Sequence, residues 1–382
     1  MPEPKQILVK YWGYSSFRPL QEEIIQSLLE GKDTLALLPT GGGKSICFQV
    51  PAMCMEGICI VVSPLIALMK DQVSNLDKRG IKAVAVYSGQ STNEMDIAID
   101  NCIYGKTKFL YLSPERLTTD IIRMRLPRMK VSLLAVDEAH CISHWGYDFR
   151  PTYLRIAEIR SIIPKTPVLA LTATATGEVV TDIMAKLEFK GHNIFRKSFE
   201  RKNLNYIVIK EEDKLRRLIK ICSKVGGTGI IYVRNRKKTK EIAQYLSRNN
   251  ISADYYHAGL DTQMRDQKQQ EWMKGNNKVI VCTNAFGMGI DKPNVRFVVH
   301  MDLPDAPEAY FQEAGRAGRD EKQSFVVLLY NDSDIADAGK SLELAYPPLN
   351  DIKTAYNCLG NYFQISTGSS LNKGFDFELT DF

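Results

Sequence analysis

The chain has 382 residues, 44% of them hydrophobic and 25% charged, with a formal net charge of +6, an ordinary globular composition long enough for two domains with their own cores. No apolar run approaches the roughly 18 residues needed to cross a bilayer, and residues 1–10 lack the apolar core of an export signal. The expectation is therefore a chain without a membrane partner that works in the cytoplasm, or in the nucleus of a eukaryote.

The excess of positive charge is compatible with a polyanionic partner but does not establish one. The eight cysteines stand singly, several inside apolar runs such as GICIVVS and VIVCT, and no CxxC pair occurs. They read as reduced core thiols, so neither a zinc site nor a disulfide framework is expected.

In chain order the first elements are short aliphatic runs, TLALLP, ICIVVSP, AVAVYS, KFLYLSP, LLAVDEAH and PVLALTAT, with helix-like stretches between them. Such continuous runs suit strands covered on both faces, the pattern of a parallel, doubly wound α/β sheet. A charged stretch from Arg196 to Lys214, RKSFERKNLNYIVIKEEDK, interrupts the series. A second set follows: TGIIYV, ADYYH, KVIVCT, VRFVVHMDLP and SFVVLLY. Two α/β lobes are expected, residues 1–200 and 201–345, with a ligand cleft between them. After Tyr330 the pattern predicts helix, Pro-Pro break and helix, and residues 346–382 form a short helical extension ending in a polar, loosely ordered tail. That extension reads either as packing on the second lobe or as the start of a further domain.

LLPTGGGKSICF follows a strand and is expected to open a helix, the setting of a phosphate-binding loop. Thr40, Gly41, Gly42 and Gly43 let backbone N–H groups converge on phosphate oxygens, Lys44 reaches the terminal phosphates of ATP, and the hydroxyl of Ser45 ligates Mg²⁺. Leu38 stands where the usual loop has its first glycine. LLAVDEAH ends a strand in two adjacent carboxylates: Asp137 suits the Mg²⁺ shell and Glu138 can orient or deprotonate the attacking water. The two motifs in this order point to ATP hydrolysis.

Three readings compete for AHCISHWGYDFRP, residues 139–151. His140 and His144 have the spacing to share a metal on a helix, but a third ligand is lacking. A core segment would bury Trp145 and Phe149 but leaves Asp148 and Arg150 poorly explained. A loop that stacks aromatic rings on exposed bases accounts for more of its residues.

LPTGGGKS, VDEAH, LTATAT and QEAGRAGR resemble the ordered motifs of superfamily 2 helicases. YSSFRPLQEEII, AHCISHWGYDFRP and AFGMGIDKPNVRFVVHMDLP are similar to the RecQ family of DNA helicases, and the match runs from about Tyr14 to Arg319. The resemblance implies two tandem RecA-like lobes and an ATP-dependent enzyme moving 3′ to 5′ on single-stranded DNA and opening forked duplex, in repair or recombination. It implies that Tyr14, Arg18 and Gln21 receive the adenine, and that Arg316 and Arg319, one helical turn apart, reach the γ-phosphate from the second lobe. It makes residues 139–151 a DNA-sensing loop in which His140, Trp145, Phe149 and Arg150 couple DNA to hydrolysis, and gives Thr172 and Thr174 the link between the two sites. His144 and Tyr147 depart from the family's usual glutamine and histidine. The family's zinc and winged-helix modules are not recognisable here, which keeps open two alternatives, an ATP-switched nucleic-acid-binding module and an RNA helicase. A metabolic kinase sharing the phosphate loop fits poorly, because no acceptor pocket is evident and the paired arginines would be unexplained.

Overall fold

The computed structural model describes residues 2–117, 119–146, 148–286 and 292–365, together with Gly374 and Asp376. Among these, two parallel sheets form. The first contains β1 (Thr34–Leu37), β2 (Ile58–Val62), β3 (Ala83–Val86), β4 (Phe109–Leu112), β5 (Val131–Val136), β6 (Val168–Thr172) and β7 (Asn193–Arg196), in the order β3-β4-β2-β5-β6-β1-β7. The second contains β8 (Leu204–Lys210), β9 (Thr228–Tyr232), β10 (Ala253–Tyr256), β11 (Val279–Cys282), β12 (Val295–His300) and β13 (Ser324–Tyr330), in the order β10-β11-β9-β12-β13-β8.

Period-two alternation explains why both faces are apolar. In β2, Ile58, Ile60 and Val62 enter one core cluster while Cys59 and Val61 enter the cluster on the other face. Helices cover both faces of each sheet, so the central strands read as unbroken apolar runs. Two strands lie hidden where the sequence suggests an interruption. β7 and β8 are edge strands with alternating or largely exposed side chains; β7 is only four residues long, and the apolar run of β8 sits between the charged stretches RKSFERKN and EEDK. The first sheet thus ends at Arg196 and the second begins at Leu204.

Strand register gathers the candidate site. Leu37 of β1 lies beside Thr172 of β6, and Ala170 of β6 lies beside Val136 of β5. The loops leaving these three neighbouring strands therefore emerge at one sheet edge, where open parallel sheets bind ligands. A buried ion pair braces the opposite ends of these strands. Asp33 accepts from Arg160 Nη2 at 2.8 Å, from the Val168 N–H at 2.9 Å and from the Lys190 N–H at 2.9 Å.

Beyond β13, Asn331 and Asp334 form a capping box that starts helix Asp332–Ala345, and Pro347-Pro348 separates it from helix Leu349–Tyr362. Neither helix contributes a buried residue among those described. The polar tail expected after Gln364 lies outside the described residues, apart from Ile365, Gly374 and Asp376.

Candidate active site between the lobes

β1 runs into the turn Pro39–Ser45, and helix Ile46–Cys54 begins directly behind it. The Gly42 N–H closes the turn on Pro39 O at 2.9 Å. Gly43 has φ +76°, a backbone that favours glycine, and a Cβ there would sit 2.4 Å from Gln21 Nε2 and displace that amide from the loop carbonyls. Thr40, Gly41, Gly43, Lys44 and Ser45 line a cavity of 1080 Å³, while Gly42 turns back onto Pro39. Leu38, in place of a first glycine, is buried and donates its N–H to Thr172 O at 3.1 Å, continuing the β1–β6 pairing instead of entering the loop.

Tyr14, Arg18 and Gln21 line the same cavity. Arg18 Nη1 donates to Gly41 O at 2.5 Å, and Gln21 Nε2 donates to Gly43 O at 3.0 Å while its Oε1 accepts the Arg18 N–H at 2.9 Å. Both ends of the Gln21 amide are thus engaged by protein, so a pairing with adenine requires it to leave the loop carbonyls. Tyr14 is exposed.

β5 ends at Val136, and Glu138 then adopts φ +46°, ψ +46°. For a side chain this left-handed conformation costs roughly 1–2 kcal/mol and is typical of functional sites. It brings Oε1 of Glu138 to 3.6 Å from Lys44 Nζ. The Tyr153 hydroxyl holds the preceding turn by donating to Asp137 O at 3.0 Å. Burial and the neighbouring Glu138 charge push the Asp137 carboxyl up to about 6. Burial also acts against ionised Glu138, but Lys44, His140 and Arg316 together outweigh it and hold this carboxyl below its ordinary value. Glu138 Oε2 is buried without a hydrogen-bond partner among the described residues, and so is Arg316 Nε.

The second lobe supplies the opposite wall. Arg316 and Arg319 both line the cavity, joined by Gln312, and Arg316 is buried close enough to act on the Glu138 charge. They do not share a helix face, because helix Pro307–Ala314 ends before them and they lie in the turns that follow. Arg319 crosses to the first lobe: a Cβ on Gly41 would lie 3.4 Å from Arg319 Cγ. Tyr232, at the end of β9, donates to Phe286 O at 2.9 Å and lies near enough for the Arg316 charge to act on its phenol.

The loop 139–151 resolves into distinct jobs. His140 and His144 do not converge: His140 Nδ1 is 2.9 Å from Thr172 Oγ1, whereas the His144 ring lies 3.7 Å from that of Phe149. Burial drives His140 below its ordinary pKa against the pull of Glu138, whose Oε2 lies 3.5 Å from His140 Nδ1. Trp145 is 72% exposed, which removes the core reading for that ring. Arg150 is committed inside the lobe, donating to Asp148 Oδ2 at 3.1 Å and to Pro64 O at 3.2 Å, and thereby bracing the loop. Thr172 is fully buried and its hydroxyl also accepts the Thr174 N–H at 3.2 Å. Tyr147 lies outside the described residues, as do Gly287 to Asp291 of the second-lobe motif.

Residues that sequence reasoning passed over also reach this region. Arg201 and Asn203 bond the backbone around Arg316, and His300 Nε2 pairs with Glu313 Oε2 at 2.8 Å beneath it. Arg201 and Asn203 lay in the charged stretch read only as a boundary, and a lone arginine there gives no spacing signal.

Two parallel-sheet lobes, with a lysine and acidic pair on one and arginines on the other, define a DEAD/DEAH-type helicase core. The DEAD/DEAH box helicase model matches residues 18–183, and the helicase conserved C-terminal domain model matches residues 212–321. The chain is 44% identical over 331 residues to the ATP-dependent DNA helicase RecQ of Pasteurella multocida, covering 86% of this chain and 52% of that protein. It is 44% identical over 334 residues to the probable ATP-dependent DNA helicase RecS of Bacillus subtilis, covering 86% and 67%. Saccharomyces cerevisiae Dbp5 bound to RNA and ADP BeF3 shares the fold, with a TM-score of 0.70 at 19% identity over 91% of this chain and 92% of that one. The chain belongs to the RecQ family of helicases. It spans about half the length of the Pasteurella relative and two thirds of RecS.

Proposed function

We propose that this chain is the motor core of an ATP-dependent DNA helicase that moves 3′ to 5′ on single-stranded DNA and opens forked duplex, in repair or recombination. One observation carries the reading: a single cavity is walled by Lys44, Asp137 and Glu138 from one lobe and by Arg316 and Arg319 from the other. Residues so divided can act together only when the lobes close, which ties bond cleavage to lobe movement.

ATP fits the donor set. Glu138 Oε2 and Arg316 Nε, buried without a hydrogen-bond partner among the described residues, belong to side chains that line the same cavity as Lys44. Ser45 and Asp137 supply hard oxygen donors and would hold Mg²⁺. An ion held there would supply charge neutralisation for the phosphates. Lys44 gives up its contact with Glu138 to the terminal phosphates. Glu138, freed as an ionised carboxylate, orients the attacking water and takes its proton. Arg316 and Arg319 offset the charge that develops on the transferred phosphoryl group, an effect worth roughly 4–7 kcal/mol when an arginine finger is in place.

DNA coupling is assigned to the loop at Trp145. Its exposed indole is available to stack on a base, worth about 1–3 kcal/mol, comparable to the roughly 1.4 kcal/mol of an average base-pair step. A base trapped there holds the fork open while Arg150 keeps the loop in register with Pro64, and His140 and Thr172 carry the signal to Glu138. SPLIALMKDQ, SPERL, YVRNRKK and HAGLDTQMR follow strand ends and supply phosphate contacts that read no sequence.

The test is ATP turnover with and without single-stranded DNA, beside Lys44→Ala. Turnover stimulated by DNA and abolished in the variant is expected, and DNA-independent turnover would refute the motor reading. Strand displacement with ATP but not with a non-hydrolysable analogue separates a helicase from a nucleotide-switched binder, and matched DNA and RNA competitors decide the substrate.

A further inference from the structure

Arg201 lies in the segment between β7 and β8, where the chain passes from one sheet to the other. Its guanidinium spans three structures. Nη2 donates to Ala317 O at 3.0 Å and Gly318 O at 2.5 Å, and Nη1 donates to Gly315 O at 3.2 Å and reaches Thr40 O of the phosphate loop at 3.5 Å. Gly315, Ala317 and Gly318 flank Arg316 and lead into Arg319, so the guanidinium gathers the carbonyls of the turn that carries both arginines. Asn203 reinforces it, donating from Nδ2 to Gly318 O at 2.8 Å while its Oδ1 accepts Arg201 Nε at 3.4 Å.

This arrangement is costly if it does nothing. Arg201 is partly buried and no carboxylate lies within ion-pair distance of it among the described residues; its charge is met by backbone and amide oxygens alone. A turn that merely had to be closed could be closed by its own N–H groups. The contact to Thr40 O adds what a turn brace lacks, a link to the opposite lobe. Gly315 and Thr40 meet at the same point, where a Cβ on Gly315 would lie 3.0 Å from Thr40 Cβ. A neighbouring cavity of 220 Å³, lined by Thr40, Thr174, Arg201, Phe311 and Gly315, leaves room for the lobes to approach around this pivot.

We propose that Arg201 is a positioning residue of the interlobe joint: it fixes the turn bearing Arg316 and Arg319 and sets that turn against the phosphate loop. The inference rests on the ATPase reading above. It acts through the two arginines and touches neither nucleotide nor water. A planar fork with five donors can hold four carbonyls at once, and a lysine cannot.

The test measures Arg201→Ala and Arg201→Lys in the full chain, alone and combined with Arg316→Ala. Misplacement of a catalytic group by about 1 Å costs on the order of 100-fold in rate. Arg201→Ala is therefore expected to lower kcat roughly 10- to 100-fold while KM and the dissociation constant of a fluorescent ADP analogue stay within about 2-fold, and Arg201→Lys recovers part of the rate. Because Arg201 acts through Arg316 and Arg319, the loss caused by Arg201→Ala should be smaller in the Arg316→Ala background than in wild type, the remainder running through Arg319. Additive losses in the double variant, or an Arg201→Ala rate within 2-fold of wild type, would overturn the role. Should Arg201→Ala fail to fold, Arg201→Lys with and without Arg316→Ala gives the same comparison. Wild-type turnover and its loss in Lys44→Ala are read in parallel, so a failed ATPase reading appears as an inactive wild type, whereas a failed role for Arg201 appears as unaffected variants of an active one.

Discussion

Removing one hydroxyl, Thr172→Val, separates the link between the acid pair and the loop at Ala173 to Thr176 from everything else in the first lobe. Thr172 Oγ1 accepts the Thr174 N–H at 3.2 Å, lies 3.2 Å from Thr174 O and 2.9 Å from His140 Nδ1, and has one proton to give. Valine matches its shape, so the packing of β6 survives and the polar contacts alone are lost. Thr174 is only partly buried and its N–H can turn to water, whereas His140 is 1% exposed and cannot. The loss is then that of one buried hydrogen bond of the imidazole, whose Nδ1 keeps Glu138 Oε2 at 3.5 Å, about 1–3 kcal/mol, less a small gain from the added methyl. Denaturant unfolding should show that loss with an unchanged slope. The same 1–3 kcal/mol bounds the coupling the contact can transmit, about 5- to 150-fold, so DNA stimulation of turnover should fall within that range while nucleotide affinity holds. In a double-mutant cycle with His140→Ala the two losses should not add. Stability within about 0.5 kcal/mol of wild type together with undiminished DNA stimulation would refute the reasoning.

Trp145→Ala should leave nucleotide affinity and stability intact, since the ring is exposed, and remove most DNA stimulation; stimulation that persists means the loop is not the sensor. Asp33→Ala strands Arg160 and the Val168 and Lys190 N–H groups and should cost roughly 3–5 kcal/mol in urea unfolding, and a loss below about 1 kcal/mol would contradict the pairing. Seven cysteines are buried, and burial pushes the thiols of Cys47, Cys102 and Cys222 up to about 12, so a thiol reagent at pH 8 should label the native chain rapidly at exposed Cys358 alone and at all eight after unfolding.

The sequence by itself determined the central strands, because a strand covered on both faces must be apolar throughout and TLAL, ICIVV and SFVVLLY have no other economical use. It also determined the local chemistry: a glycine turn with Lys44 behind one strand and a carboxylate pair behind another are written in consecutive residues. Tertiary structure decided what consecutive residues cannot. The edge strands β7 and β8 were masked because NIFR is short and the apolar run of LNYIVIK is flanked by charged residues, so the whole stretch reads as a break. Arg150 was legible as a basic residue in an aromatic loop, but only packing could turn it inward to Asp148 and Pro64. The left-handed backbone at Glu138 has no signature in its side chain, and the grip of Arg201 on Gly315, Ala317 and Gly318 joins residues more than a hundred positions apart. Periodicity and motif spacing report interactions a few residues long; the meeting of two lobes depends on how whole sheets stack, and the cleft exists only once they have.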